Sequence, residues 1–269
     1  MTFQLTSDLH LEFYSDKYNR IPKYKKPKYL SNMIKSFLTI SAENLILAGD
    51  IGYPNSQIYE DFLTYISQKF VRVFIINGNH EYYITGVGTG IGIETVDTLV
   101  KSITDKYSNV WFLNNDIFEL NTWTIIGTTL WTHISTEQST LAETYISDYT
   151  KIGLTTHETN NLNQRSLDFL SSEIPKAIEK GNNIIVITHH LPVHELIPEK
   201  YRDSILNFAF ANSLDQQLEE WSEGDKKHIW VSGHSHGHKQ ILYKGWQLLL
   251  NANGYPAENK DYQPNLIIE

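Results

Sequence analysis

The sequence predicts an α/β sandwich, and two observations carry that expectation. Short β-branched runs alternate with helix-periodic segments through most of the chain, and strands then cluster toward its end. Several of the apolar runs also stop abruptly at Gly, Asp, Asn or His, as strands do when they deliver polar side chains to the carboxyl edge of a sheet.

In order, Phe3 to Thr6 reads as a strand that ends in Ser7-Asp8-Leu9-His10. Glu12 to Leu30, with Pro22, Pro27 and interleaved lysines, reads as an exposed loop. Leu30, Ile34, Phe37 and Leu38 predict a helix over Tyr29 to Thr39, and Asn44 to Ala48 predicts a strand leading to Gly49-Asp50. Ile58, Phe62, Tyr65 and Ile66 mark a helix before the strand Val71 to Asn77, which reaches Gly78-Asn79-His80-Glu81. Gly86 to Gly92 lacks the spacing and Lys of a phosphate loop and reads as a flexible loop near the site.

A helix follows from about Glu94 to Tyr107. Val110 to Leu113, Ile117 to Leu120 and Thr122 to Thr128 read as a meander turning at Asn114-Asn115-Asp116. Trp131 to Lys151 reads as irregular, and Glu158 to Lys180 as a helix broken near Pro175. Asn183 to Thr188 is a strand into His189-His190. Pro192 to Phe210 reads as loop and short helix, and Ser213 to Trp221 is amphipathic. Strands are expected at His228 to Ser232, Lys239 to Tyr243 and Gln247 to Asn251. No repeat or linker divides the chain, so residues 1–269 are expected to form one domain.

The bulk properties set limits. An apolar content of 41% and aromatic content of 12% suffice for a core. No run nears the roughly 18 apolar residues of a membrane span, and a strand starting at Thr2 or Phe3 leaves no room for a signal peptide. There is no cysteine, which excludes disulfides and thiolate metal sites and is compatible with a reducing compartment. The expectation is a soluble, cytoplasmic protein. A formal charge of −9 argues against a dedicated binder of long nucleic acid, but leaves room for a small anionic substrate held by local positive charge.

Five strand ends thus present Asp, Asn or His and no sulfur. That inventory suits divalent Mn, Fe, Zn or Ni. Asp8 and His10, like His234 and His236, are separated by one residue, and they share a face where the backbone is extended. Taken singly each piece is ordinarily a turn or a hydrogen-bonded pair; five together point to a metal site. His133, His157, His194, His228 and His238 lack such placement and read as ordinary histidines.

The order Asp8-Leu9-His10, Gly49-Asp50, Gly78-Asn79-His80-Glu81, His189 and Gly233-His234-Ser235-His236 resembles the calcineurin-like metallophosphoesterase superfamily over residues 8 to 236. The resemblance implies a four-layer αββα sandwich with a dinuclear metal site at the strand ends. It implies that Asp8, His10 and His236 bind one divalent ion, that Asn79, His189 and His234 bind the second, and that Asp50 bridges both. His80 would act with Asp50 in catalysis, as general acid or as hydrogen-bond donor to phosphate. Hydrolysis would proceed by attack of a metal-bridging hydroxide on a phosphomonoester or phosphodiester. Two ions about 3.5–4 Å apart clamp the attacking and departing oxygens. The two aspartates and the hydroxide would leave a net charge of roughly +1 facing the phosphate. A histidine with an ordinary pKa of about 6.5 can protonate the leaving alkoxide.

The protein Ser/Thr phosphatases of that superfamily carry a second Asp and an Arg shortly after Gly-Asp. Gly49-Asp50-Ile51-Gly52-Tyr53-Pro54 has neither, which disfavours a protein phosphatase. Asn79, His80, His190 and Arg202 are the candidate substrate contacts, with Arg202 the replacement arginine best placed along the chain. Tyr82, Tyr83, Phe208 and Phe210 are candidate walls. The basic, tyrosine-bearing stretch Tyr14 to Tyr29 is a candidate nucleotide contact. The expected substrate is a small phosphorylated molecule, nucleotides included. A nuclease and a non-catalytic scaffold are the alternatives.

Overall fold

The computed structural model describes residues 1–85 and 91–269, so most of the glycine-rich stretch Gly86 to Gly92 lies outside the described residues. The elements run β1 (Phe3–Thr6), α1 (Glu12–Arg20), α2 (Lys26–Phe37), β2 (Asn44–Ala48), α3 (Gln57–Ser67), β3 (Arg72–Ile76), α4 (Ile93–Thr104), β4 (Val110–Phe112), β5 (Asp116–Leu120) and β6 (Trp123–Thr128). They continue with α5 (Thr136–Tyr145), α6 (Ser147–Lys151), α7 (Thr156–Glu179), β7 (Asn183–Thr188), α8 (Asp215–Glu220), β8 (His228–Ser232), β9 (His238–Tyr243), β10 (Trp246–Asn251) and β11 (Ile267–Ile268).

Two mixed sheets form. The first has strand order β11-β1-β2-β3-β4 and is parallel except at β11; the second has order β5-β6-β7-β8-β10-β9 and is parallel except at its two edges. Three apolar clusters fix the layering. One joins side chains of both sheets, including Phe3, Ile46, Phe74, Ile125, Ile185 and Val231. A second packs helical residues such as Tyr18, Ile34, Phe62 and Ile103 on the outer face of the first sheet. The third packs α7 and α8 on the outer face of the second, around Leu170, Leu218, Trp230 and Trp246. The order of layers is therefore αββα. The continuous apolar strands follow from it, because each parallel strand is covered on both faces. Among the described residues, no helix is long and apolar enough to cross a membrane.

Four local expectations need correction. Glu12 to Leu30 is mostly helical. Tyr18 buries against the first sheet's helices and its hydroxyl donates to Asp61, while Pro22 falls between helices and Pro27 in the first turn of α2, where a missing N–H costs nothing. The three strands after α4 are not one meander. Val110–Phe112 joins the first sheet beside β3 and only β5 and β6 form a hairpin, so Asn114-Asn115 carries the chain from one sheet to the other. Trp131 to Lys151 contains α5 and α6; α5 is started by a capping box between Ser135 and Gln138. Finally, α7 continues through Pro175 to Glu179. The carbonyl that loses its partner there belongs to Ser171, which faces solvent.

Candidate metal centre

The carboxyl ends of β1, β2, β3, β7 and β8 lie at one edge of the sandwich and deliver Asp8, Asp50, Asn79, His189 and His234. The backbone there is not the extended one expected. Asp8, His10, Asp50 and His234 have φ of 54°, 47°, 54° and 68°. Left-handed conformations cost a non-glycine residue of order 1–2 kcal/mol. Four of them at one edge mean that tight turns, and not strand alternation, aim these side chains at a common centre. The turns are held from below. Asp8 N–H donates to Gly49 O (3.0 Å) and His10 N–H to Asp50 O (3.0 Å). The buried Glu81 carboxylate accepts from the N–H groups of Asp50, Ile51 and Gly78 at 3.0, 2.7 and 2.7 Å. Burial, with the Asp50 charge, raises Glu81 to about 7. Its role is to tie the Gly49-Asp50 turn to the Gly78-Asn79 turn. Gly78 permits the approach: a Cβ there would lie 2.2 Å from Asp50 Oδ1 and 2.6 Å from His189 Cε1.

Asp8, His10 and His236 converge in one group, and Asp50, His189 and His234 in another. The tautomers follow from the outer partners, since a carboxylate or carbonyl oxygen can only accept. His10 Nδ1 donates to Glu12 Oε1 (2.9 Å) and His236 Nδ1 to Glu258 Oε2 (2.5 Å). Their Nε2 atoms are left facing each other at 3.0 Å, with Asp8 Oδ1 3.4 Å from His236 Nε2. In the other group His189 Nδ1 donates to Ala48 O (2.9 Å), so Nε2 points at Asn79 Oδ1 (2.9 Å) and Asp50 Oδ2 (3.4 Å). The Asn79 amide cannot be flipped, because its Nδ2 donates to the Asp148 carboxylate at 2.7 Å. Asp50 Oδ2 also lies 3.9 Å from His10 Nε2, between the two groups.

Lone pairs so opposed are held together only by a proton or a cation between them. The charges act in that direction. Burial disfavours a charged ring at His189 and His236, yet Asp50 and Asp8, with Glu258, outweigh it and raise them to about 9 and about 10. His236 in turn helps hold Glu258 down at about 2 against its own burial. A field that binds protons this firmly also favours metal ions, which displace them. His234 is held well below its ordinary value by burial and then by the neighbouring histidines, so its ring is neutral, as a ligand requires. The nitrogen and oxygen donors fit two borderline divalent ions, and three of the rings have the carboxylate or carbonyl partner on the far nitrogen that metal-bound histidines need.

The family model for calcineurin-like phosphoesterases matches residues 1–238. The chain belongs to that family. A curated relative, the uncharacterized protein L509 of Acanthamoeba polyphaga mimivirus, is 29% identical over 241 residues, which is 84% of this chain and 83% of the relative. The fold is similar to that of the phosphopantetheinyl hydrolase PptH of Mycobacterium tuberculosis, with a TM-score of 0.62 and 16% identity over 95% of this chain and 90% of that one. It is also similar to a dimetal phosphatase of Danio rerio, with a TM-score of 0.52 and 13% identity over 93% and 86% of the two chains. The family's general chemistry, metal-dependent phosphoester hydrolysis, is thus the chemistry of this fold and this donor set.

In this calcineurin-like phosphoesterase, His80 sits on the open side of the centre. Its Nδ1 lies 2.9 Å from Glu12 Oε1, and its Nε2 lies 4.0 Å from Asp50 Oδ2 and 3.5 Å from Tyr255 OH. Burial depresses His80, but Asp50, Glu12 and Asp148 together hold it above the ordinary histidine value. The acidic partner missing from the Gly-Asp block is therefore Glu12, from the first turn of α1, whose one oxygen serves both His10 and His80.

A cleft of about 310 Å³ opens over the centre, walled by Tyr83, Tyr145, Tyr201, Phe210 and Tyr255. Tyr83 and Phe210 are where the sequence puts them. Tyr82 is buried with its hydroxyl on Asp97 (2.7 Å), and Phe208 packs against the α5 cluster. Two expected substrate contacts are corrected. His190 is buried, its ring packed between Trp131 and His234, and burial lowers it to about 3, so it supports the centre from behind. Arg202 is 64% exposed, pairs with Glu199 at 2.6 Å and does not line the cleft, because the turn carrying it faces solvent. Sequence reading missed Glu12, Asp148, Tyr255 and Glu258. Only Glu12 had a local signal, lying one further alternate position beyond Asp8 and His10.

Proposed function

We propose that this chain hydrolyses a phosphomonoester or phosphodiester of a small molecule, with nucleotides among its substrates. The observation that carries the reading is the set of ring nitrogens and oxygens of Asp8, His10, Asp50, Asn79, His189 and His236 turned toward one another with their far sides already bonded. Asp8, His10 and His236 would hold one divalent ion and Asn79, His189 and His234 the second, with Asp50 reaching both. When bound, the ions supply positive charge to the phosphate and a nucleophile at neutral pH. Asn79 contributes no charge, which keeps the centre electropositive. Asp148 fixes its amide, and Glu12 fixes both His10 and His80.

His80, protonated at Nε2, donates to the departing oxygen, and Glu12 stabilises the ring while it carries that proton. A small substrate suits the cleft, whose volume of about 310 Å³ is at the lower end for ligand sites. Its aromatic walls would receive the flat or apolar part of the leaving group. A Mn-loaded screen with p-nitrophenyl phosphate, bis-p-nitrophenyl phosphate and linear and cyclic nucleotides tests the reading. Turnover of at least one ester is expected, and metal-replete protein inert toward all of them contradicts it.

A further inference from the structure

A second, wider groove lies beside the cleft. It runs between α1 and α2, has a volume of about 1030 Å³, and is lined by Phe13, Lys17, Arg20, Tyr24, Lys25 and Lys28. Asp16 is the one carboxylate on its wall, so four cations face a single anion in a chain whose formal charge is −9. Among the described residues none of those four cations has a carboxylate within ion-pair distance. Two of them lie instead over tyrosine rings, Lys25 Nζ 5.5 Å from the centre of the Tyr24 ring and Lys17 Nζ 5.4 Å from that of Tyr29. Unpaired cations that line one groove raise the local potential and attract anions there even though the protein as a whole is acidic.

The exposed aromatics have the same bias. Tyr24 is 79% exposed and Phe13 56%, large rings left in water on the lining of a basic groove. Phe13 also connects the groove with the metal centre. Its ring lies 5.2 Å from Tyr255, which walls the cleft, and 6.1 Å from His10. Cations for phosphate with open rings for a base are the elements of nucleotide recognition without sequence reading.

We propose that this groove binds the nucleotide portion of the substrate that lies beyond the scissile phosphate, with Lys25 and Lys28 on a further phosphate and Tyr24 stacked on the base. The inference rests on the phosphoesterase reading for its purpose, but the binding itself does not. Four cations gathered in one groove fit a short nucleotide, not a long strand.

The test is fluorescence anisotropy with etheno-ADP in EDTA, so that no metal holds the phosphates. Etheno-adenosine and a ten-nucleotide single strand provide the other arms. Wild type should bind etheno-ADP, and Lys25→Glu/Lys28→Glu should weaken it at least tenfold, with a matching fall in salt dependence. Tyr24→Ala should weaken it at least fivefold, and circular dichroism should show all variants folded; all these side chains are on the surface. The groove is not a nucleotide site if wild type fails to bind etheno-ADP, if the variants bind it as well, or if etheno-adenosine binds equally. A strand bound more than tenfold tighter than etheno-ADP overturns the small-nucleotide assignment in favour of a strand surface. Turnover of bis-p-nitrophenyl phosphate by the Mn-loaded protein, read separately, reports on the phosphoesterase reading alone.

Discussion

Replacing Glu12 by Gln keeps the shape of the side chain and removes its charge. In the wild type Glu12 Oε1 accepts from Nδ1 of both His10 and His80 at 2.9 Å, and the carboxylate is almost fully enclosed. A charge-assisted hydrogen bond is roughly twice as strong as a neutral one. Exchanging one for the other at His80 therefore costs its protonated form about 1.5 kcal/mol, given about 1.5–3 kcal/mol for bonds to charged groups. At about 1.4 kcal/mol per unit, the His80 pKa falls by about one unit. The sign is fixed by its role. An acid works while protonated, so activity is lost as pH rises through the folded-state value that Asp50, Glu12 and Asp148 raise. The alkaline limb of kcat/KM should move about one unit toward acid in Glu12→Gln. It should do so for an alkyl phosphoester, which needs a proton on its leaving oxygen, and far less for a p-nitrophenyl ester, which does not. A loss of similar size on both esters with an unmoved alkaline limb would refute Glu12 as the partner of an acid and leave it a scaffold for His10.

Three other outcomes follow from specific contacts. Asp148→Ala frees the Asn79 amide to rotate, and the affinity for one of two Mn ions should fall about 10–100-fold by calorimetry, the usual cost of losing an outer partner. Gly78→Ala forces a Cβ to within 2.2 Å of Asp50 Oδ1, so metal binding should be lost in elemental analysis, and denaturant titration should show a destabilisation of about 1–3 kcal/mol or more. Thr155→Ala removes the side chain that accepts from Glu158 N–H at the start of α7 and does not line the cleft; stability should drop by about 1 kcal/mol with turnover unchanged.

The polar positions that converge at this sheet edge were legible in the sequence because β-rich, largely apolar segments stop shortly before each of them. His189 follows its strand directly, and Asp8, Asp50, Asn79 and His234 come within three residues of theirs. What aims them was not legible: the left-handed turns at Asp8, His10, Asp50 and His234 are imposed by hydrogen bonds from other strand ends and from Glu81, all tertiary. The same limit explains the supporting carboxylates. Glu258 lies 22 residues from His236, and Asp148 lies 69 from Asn79. No periodicity announces either. The helices α1 and α5 and the first turn of α2 were obscured for a different reason, since prolines, hydroxyl residues, Asp and Asn have weak helix preference there, and burial of a few side chains such as Tyr18 and Ala142 decides the conformation.

The central claim is a two-ion hydrolytic centre, and its most direct test is a Mn titration of chelator-stripped protein with turnover of bis-p-nitrophenyl phosphate or another active ester followed in the same sample. Turnover should start from near zero, rise with added metal and level off at two equivalents per chain, and Asp50→Asn should stay flat throughout. Full turnover in the stripped protein, or saturation with no metal retained, would contradict the account.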